Sequence, residues 1–353
     1  MPIETEARQR LPNIDRALIV YARGLARHAR EISEYLREAG ISVEGVKEIE
    51  SVLEAPESDD SVLVIVGADR DVLSALHAMR DRESRLLIVS PPGSIGFLAS
   101  VTAEELSRWA PSLANGSYVE REYMRLEATV DGRNRVFSIN EVAIFPRRSA
   151  TLMEYVLKVD DELVWRDVAD GLIVATPLGS TAYALSAGGP AILLGTDAIS
   201  IVPVNSLDVS KRPIVAPGSA KIEVGEINSR HGCELVADGI ERVKVAEHVV
   251  VEKTSPLRVL SPRRRARASD RIAKKAALAV QLTDMPPSAR FVLSVLEHSE
   301  GPLTSREIAQ RTTLPSRTVR HALKVLMELG LVERLTDLRD ARRCVYRVAR
   351  RRS

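Results

Sequence analysis

An α/β layer, then a β-rich layer, then a small helical module ending in a hairpin is the fold class that these 353 residues predict, and three observations predict it. Near the N-terminus, short apolar runs alternate with stretches of helical periodicity. Beyond residue 118 the runs become short, alternating and punctuated by glycine. After residue 261 the composition turns basic and helical spacing returns. With 45% hydrophobic residues the chain can bury a real core and is long enough for two or three domains.

Ala17–Ala22 (ALIVYA), Ser61–Val66 (SVLVIV) and Arg85–Val89 read as buried strands. Between them, Arg27–Ala39 carries Ile32, Tyr35 and Leu36 at helical spacing with Gly40 as a stop, and Asp71–Met79 reads as a second helix. Strands alternating with helices indicate a parallel sheet. From Tyr118 to about Lys253, runs such as Tyr155–Val159 and Lys221–Val224 alternate polar with apolar between glycine turns, as in an antiparallel β layer.

No apolar run approaches the ~18 residues of a membrane span, and the opening MPIETEARQR is too polar for a signal peptide. Two distant cysteines, Cys233 and Cys344, build no disulfide framework, and the six histidines show no ligand spacing, so no metal site is expected. A cytoplasmic protein with no membrane partner is the expectation. Charge divides the chain: residues 263–353 hold 21 Lys/Arg and 9 Asp/Glu, leaving 29 and 39 for residues 1–262. One basic end suggests contact with a polyanion, although an arginine-rich solvated tail has the same composition.

The basic end also has an order of elements. Ser288–Glu297 places Phe291, Val292, Val295 and Leu296 on one helical face. Thr304-Ser-Arg-Glu307 is a capping box that opens a second helix, ending near Arg311. A turn through Leu314 and Pro315 leads to a third helix, Ser316–Leu329, closed by Gly330. Leu331–Leu335 and Cys344–Val348 then form a hairpin. This is the order of a winged helix-turn-helix. In its third helix Val319, Ala322, Leu323 and Leu326 fall on the core side, with Arg317, Arg320, His321 and Lys324 opposite. Such a stripe can face bases and phosphates of double-stranded DNA, with Arg339, Arg342 and Arg343 at the hairpin tip reaching the backbone. A solvated face explains the stripe alone; the capping box, hairpin and charge together favour DNA.

Asp170–Pro190, DGLIVATPLGSTAYALSAGGP, is the segment richest in chemical information. An apolar run enters it, glycines permit close approach of a ligand, and hydroxyls at Thr176, Ser180, Thr181, Tyr183 and Ser186 can both donate and accept. Such loops also serve simply as connections. The segment resembles the NAD kinase family, whose Thr-Pro-Thr-Gly-Ser-Thr-Ala-Tyr run and following Ser-Ala-Gly-Gly-Pro match here except at Leu178. Ser138-Ile-Asn-Glu141, Ile95-Gly-Phe-Leu98, Arg212-Pro-Ile-Val215 and Ala237-Asp-Gly239 match further family motifs in order. The resemblance covers roughly residues 18–260.

That resemblance implies a domain at 1–115 of NAD-kinase-like α/β type, a nucleotide-binding β-sandwich at 116–261, a basic linker at 262–283 and the winged helix at 284–353. It implies that Gly67, Asp69, Arg70, Gly96, Phe97, Asn140, Glu141, Asp170, Thr181, Ala182, Tyr183, Ser186 and Asp238 form the nucleotide site. Asn140-Glu141 could otherwise cap a strand, and Asp238-Gly239 is a common turn pair. The family's Gly-Gly-Asp-Gly phosphate loop is here Gly67-Ala-Asp-Arg70. Asp69, the catalytic candidate, is retained, but an arginine replacing a positive-φ glycine would be strained and would block approach to phosphate. Alternatively, Arg70 could itself grip a phosphate. Pro91 and Leu178 are further departures. The expected protein is a transcriptional regulator binding NAD or NADP, assembled as a homodimer or homotetramer. The alternative is a working NAD kinase using ATP and magnesium, or polyphosphate, or a kinase of another small molecule.

Overall fold

The computed structural model describes residues 11–91, 96, 98–262 and 286–348, apart from 298, 300, 301, 313, 329, 330, 338 and 339. The chain divides into two compact units, the larger covering Met1–Pro91 and Gly96–Ala268 and the smaller containing Ser269–Ser353. The basic linker lies largely outside the described residues.

The larger unit begins with β1 (Arg16–Tyr21), α1 (Ala26–Glu38), β2 (Ser42–Glu48), β3 (Ser61–Val66), α2 (Asp69–Met79), β4 (Arg85–Ser90), β5 (Val101–Thr102) and α3 (Ala103–Ala114). Strand pairs β1–β2, β1–β3, β3–β4 and β4–β5 are all parallel. The reason that β1, β3 and β4 are apolar in their interiors is visible in their neighbours. Ala17, Ile19, Val62, Val64, Leu87 and Val89 point to one face, against Ile32 and Leu36 of α1 and Leu106 and Trp109 of α3. Leu18, Val20, Leu63, Ile65, Leu86 and Ile88 point to the other, against Val72, Leu76 and Met79 of α2. Both faces of β1, β3 and β4 are covered, so their period-two alternation carries polar residues only at the strand ends.

Antiparallel strands follow: β6 (Val119–Val130), β7 (Asn134–Ser138), β8 (Glu141–Pro146), β9 (Met153–Val159), β10 (Glu162–Ala169), β11 (Gly171–Ala175), β12 (Ala198–Val204), β13 (Ile214–Pro217), β14 (Ile222–Asn228), β15 (Cys233–Ala237), β16 (Glu241–Val245) and β17 (Val249–Ser261). One six-stranded sheet runs β13-β12-β11-β8-β15-β16. The remaining strands extend the first sheet to eleven, in the order β10-β9-β14-β17-β4-β3-β1-β2, with β5, β6 and β7 off that path. Leu126, Leu157, Leu172, Ile199, Val224 and Val251 belong to the core packed between these sheets.

β17 is the splice. Val249–Thr254 pair antiparallel with β6, and Leu257–Ser261 resume that pairing while Arg258 and Val259 also pair parallel with Arg85 and Leu86 of β4. A register shift between Thr254 and Leu257 separates the two stretches, and Pro256, which lacks an N–H, lies inside it. The boundary expected at residue 115 therefore falls within one compact unit.

In the smaller unit, helices Pro287–Glu297, Ser305–Thr312 and Ser316–Glu328 pack on a three-stranded sheet ordered Leu303–Thr304, Asp340–Val348, Val332–Asp337. The capping box is realised: the Glu307 amide donates to Thr304 Oγ1 at 3.2 Å, and the Thr304 amide donates to Glu307 Oε2 at 2.7 Å. Val319, Ala322, Leu323 and Leu326 are buried in its core with Val292, Leu296 and Ile308. Burying each such valine, leucine or isoleucine side chain stabilises by about 1.5–3 kcal/mol. No helix among the described residues is long and apolar enough to cross a membrane.

Candidate functional site

Two loops of the larger unit meet backbone to backbone. The first, between β7 and β8, carries Ile139, Asn140 and Glu141, whose three successive amides donate to the Asp238 carboxylate at 2.8, 2.8 and 2.9 Å. His77 of α2 supplies a fourth contact, Nε2 to Asp238 Oδ2 at 2.9 Å. Asp238 lies in the turn after β15 with φ +50°, and its own amide donates to the Glu141 carbonyl at 3.0 Å. Its carboxylate is thus engaged by the protein's own donors, so Asp238 acts by orienting the loop.

The second loop leaves β11. Thr176 Oγ1 donates to the Ile139 carbonyl at 2.6 Å and accepts from the Gly179 amide at 3.1 Å, while the Thr176 amide donates to the Asn140 carbonyl at 2.9 Å. Gly179 lies so close to Asn140 that a Cβ at that position would overlap the Asn140 carbonyl. Glycine is required here by approach; its φ is negative. Ser180 is buried, donating to the Pro177 carbonyl at 2.7 Å and accepting from the Ile192 amide at 2.9 Å. Thr181 Oγ1 donates to the Leu178 carbonyl at 3.2 Å. Thr176 and Ser180 therefore build the loop, whereas Tyr183 and Ser186 remain exposed on its far side.

Tyr183 opens α4 (Tyr183–Ser186), beside the half-buried Ala182, and stacks on Phe145 with ring centroids 5.9 Å apart and planes at 28°. Phe145 in turn covers Gly171, where a Cβ would strike its ring. Asp170 lies at the other end of β11 from Thr176 and accepts from Asn205 Nδ2 at 2.8 Å. Asn140, Glu141, Asp238, Thr181 and Ala182 are thus brought together, while Asp170 marks the opposite end of the Phe145–Tyr183 surface.

The loop at 67–71 is built differently. α2 starts directly at Asp69, preceded by Ala68 in an extended conformation (φ −74°, ψ 167°). Asp71 Oδ2 accepts from the Ala68 amide at 2.9 Å, which places the chain's own carboxylate at the positive end of the helix. Asp71 Cβ also lies 2.8 Å from where a Gly67 Cβ would be. Asp69 Oδ1 accepts from the Leu98 amide at 3.0 Å, and Gly96 packs against Ala99 and Ser90, whose Cβ atoms would meet an added Cβ at 2.7 and 3.1 Å. Phe97 lies outside the described residues.

The expected strain at Arg70 is absent, a correction with a plain cause. Arg70 is the second residue of α2, is exposed, and is not among the positive-φ residues. The helix begins two residues before the expected Asp71, and its helical φ suits any side chain. The far end of α2 is held as well. The buried Arg125 donates from Nη1 to the Arg80 carbonyl, and from Nε and Nη2 to Ser255 O and Oγ at 2.8 and 2.7 Å. Burial pulls its pKa below the ordinary arginine value.

In the smaller unit Arg317, Arg320, His321 and Lys324 are all exposed on the helix face away from the core. Arg320 Nε donates back to the Ser316 carbonyl at 3.3 Å. Arg339 and the side chains of Arg342 and Arg343 lie outside the described residues.

Residues 139–257, from the amide loop to the register shift in β17, match the ATP-NAD kinase C-terminal domain family. The NAD kinase of Marinomonas sp. (strain MWYL1) is 31% identical over 252 residues, 66% of this chain and 86% of that protein. The chain belongs to the NAD kinase family. A second NAD kinase, from Pseudomonas paraeruginosa (strain DSM 24068 / PA7), is 37% identical over 167 residues, 46% of this chain and 56% of its own length. Among solved structures, an NAD kinase from Archaeoglobus fulgidus in complex with ATP aligns with TM-score 0.58 at 26% identity, covering 70% of this chain and 94% of that one. Yeast NADH kinase complexed with NADH shares the fold at TM-score 0.59 and 21% identity, covering 72% and 84%. Residues 283–343 match the MarR family, so this NAD kinase relative carries a winged-helix domain at its C-terminal end.

Sequence reasoning missed His77 and Phe145. His77 left one signal, a polar residue among Val72, Leu76 and Met79 on the buried face of α2. Phe145 left none, because its place is set by Gly171 on a neighbouring strand.

Proposed function

We propose that this chain is a DNA-binding regulator that reads a pyridine dinucleotide, NAD or NADP, through its kinase-family unit. The observation that carries the reading is the contrast between the two loop systems. The Asn140–Gly179 junction, where the family's dinucleotide motifs meet, is locked by Asp238 and Thr176. The loop corresponding to the phosphate cradle has its Ala68 amide taken by Asp71 and bears two carboxylates in the first helical turn. Anions are favoured at a helix N-terminus only while its amides are free, so a triphosphate fits this loop poorly. Asn140 is half-buried at the junction, with Glu141 buried beside it, and the exposed Tyr183 and Ser186 lie beyond.

A second reading, an active NAD kinase with an accessory DNA-binding domain, is favoured by one observation: Asp69 stands at the start of α2, where a carboxylate could take the proton from a ribose hydroxyl. Phosphoryl transfer relies on positioning and charge stabilisation, with ATP and magnesium supplied only in this case. Incubation of the full chain with NAD, ATP and magnesium decides between them. The regulator reading expects NAD binding by calorimetry without NADP formation; robust NADP formation that is lost in Asp69→Ala establishes the kinase.

The winged helix supplies the output. Arg320→Ala should cost about 1–3 kcal/mol of DNA affinity and relax base preference if Arg320 reads a base edge, with affinity falling steeply as salt rises. Dinucleotide and DNA should alter each other's affinity by the same factor, roughly 5–150-fold. Constant DNA affinity across a saturating dinucleotide titration removes the sensing role.

A further inference from the structure

We propose that His77 is a positioning residue that makes α2 and the Asn140–Glu141 loop move as one body. The proposal rests on the dinucleotide reading of that loop. His77 and Asp238 are both deeply buried, with side-chain exposures of 6% and 0%. Asp238 Oδ2 accepts from the Ile139 amide at 2.8 Å and faces His77 Nε2 at 2.9 Å, so Nε2 is the protonated, donating nitrogen. Oδ1 serves the amides of Asn140 and Glu141. The carboxylate is therefore a junction: three of its contacts come from the loop it orients, and the fourth comes from a helix 161 residues away in sequence. His77 Nδ1 faces Glu241 Oε2, at the start of β16, at 3.6 Å.

α2 is itself fixed at both ends. Asp69, its first residue, accepts from the Leu98 amide, and Arg125 holds the Arg80 carbonyl just past its end. The eight steps from Asp69 to His77 make a rod about 12 Å long at 1.5 Å per residue. Displacing the N-terminal loop along that rod must displace His77, and with it the carboxylate that aligns Asn140 against Gly179. The histidine thus connects the side of the site where phosphate chemistry would take place to the side where the dinucleotide would rest.

The test uses the full chain with His77→Leu, which removes the donor at similar volume, and His77→Gln, whose amide nitrogen can donate from near the Nε2 position. Amide hydrogen exchange and NAD binding by calorimetry are measured on each. In His77→Leu, exchange should accelerate at residues 139–141 while the core strand Ser61–Val66 is unchanged. NAD affinity should fall about tenfold, the size expected for losing a hydrogen bond to a buried charged group. His77→Gln should restore most of both. Unchanged exchange at 139–141 overturns the proposal, and so does acceleration spread equally through the core strand, which marks a merely stabilising residue. A glutamine variant no better than leucine overturns it as well. If the wild-type chain binds no NAD, the dinucleotide reading falls, while the exchange measurement still decides for or against the positioning role.

Discussion

The loop after β3 and the loop after β11 both leave fully buried strands, and both carry family motifs, yet they are held by opposite means. At Thr176–Thr181 the restraint is backbone against backbone: a glycine with no room for a Cβ, and a threonine hydroxyl bridging two main-chain groups. At Gly67–Asp71 the restraint comes from side chains, with Asp71 on Ala68 and Asp69 receiving the Leu98 amide. Backbone packing tolerates almost no substitution, because nothing nearby can rotate away. A loop held by side chains can drift in sequence wherever a new side chain supplies an equivalent bond. Tightness of packing explains why one motif is nearly intact and the other has changed.

The sharpest way to break this comparison is Gly179→Ala. A methyl group driven into the Asn140 carbonyl should cost about 3 kcal/mol or more and abolish NAD binding. Thermal unfolding and calorimetry read the two effects, and an unaltered variant would remove the claim of backbone packing. Thr176→Val keeps the shape but deletes the bridge, leaving the Gly179 amide without its acceptor. A loss of about 1–3 kcal/mol is expected, read from urea unfolding, together with weaker NAD binding.

On the other loop the expected effects are smaller, and the first is a gain rather than a loss. Ala68→Gly combined with Asp71→Thr frees the amide at position 68 and removes a negative charge from the helix end. ATP affinity, or any trace of NADP formation, should rise by about tenfold, with NAD affinity unchanged; no response in either would show that this loop no longer meets phosphate. Arg70→Gly is the mildest test. Because Arg70 is helical and unstrained, glycine should lower stability by up to about 1 kcal/mol. A gain in stability would bring back the strained-loop explanation.

Much of this protein was determined by sequence alone. The parallel strands were legible because both their faces are covered, which turns them into unbroken apolar runs such as SVLVIV. The winged helix was legible because its capping box, its closing glycine and its two-sided third helix are local signals, each contained within one or two turns. β2 and α3 were not read at all. Half-exposed Ser42–Glu48 is largely polar, and it becomes a strand only by pairing with β1. α3 contains Pro111, which argues against a helix locally, but Trp109, Ala110 and Leu113 bury against the sheet. For the site, the motifs named Asn140, Glu141, Thr181 and Asp238 in advance. Only the tertiary structure decided what they do. It turned the Asp238 carboxylate inward to three amides and a histidine from another layer, placed Asp170 at the far end of its strand, and gave Arg70 an ordinary helical backbone. Local sequence encodes periodicity and turn chemistry, whereas a carboxylate shared between residues 77, 139 and 238 exists only once the chain has brought them within a hydrogen bond of one another.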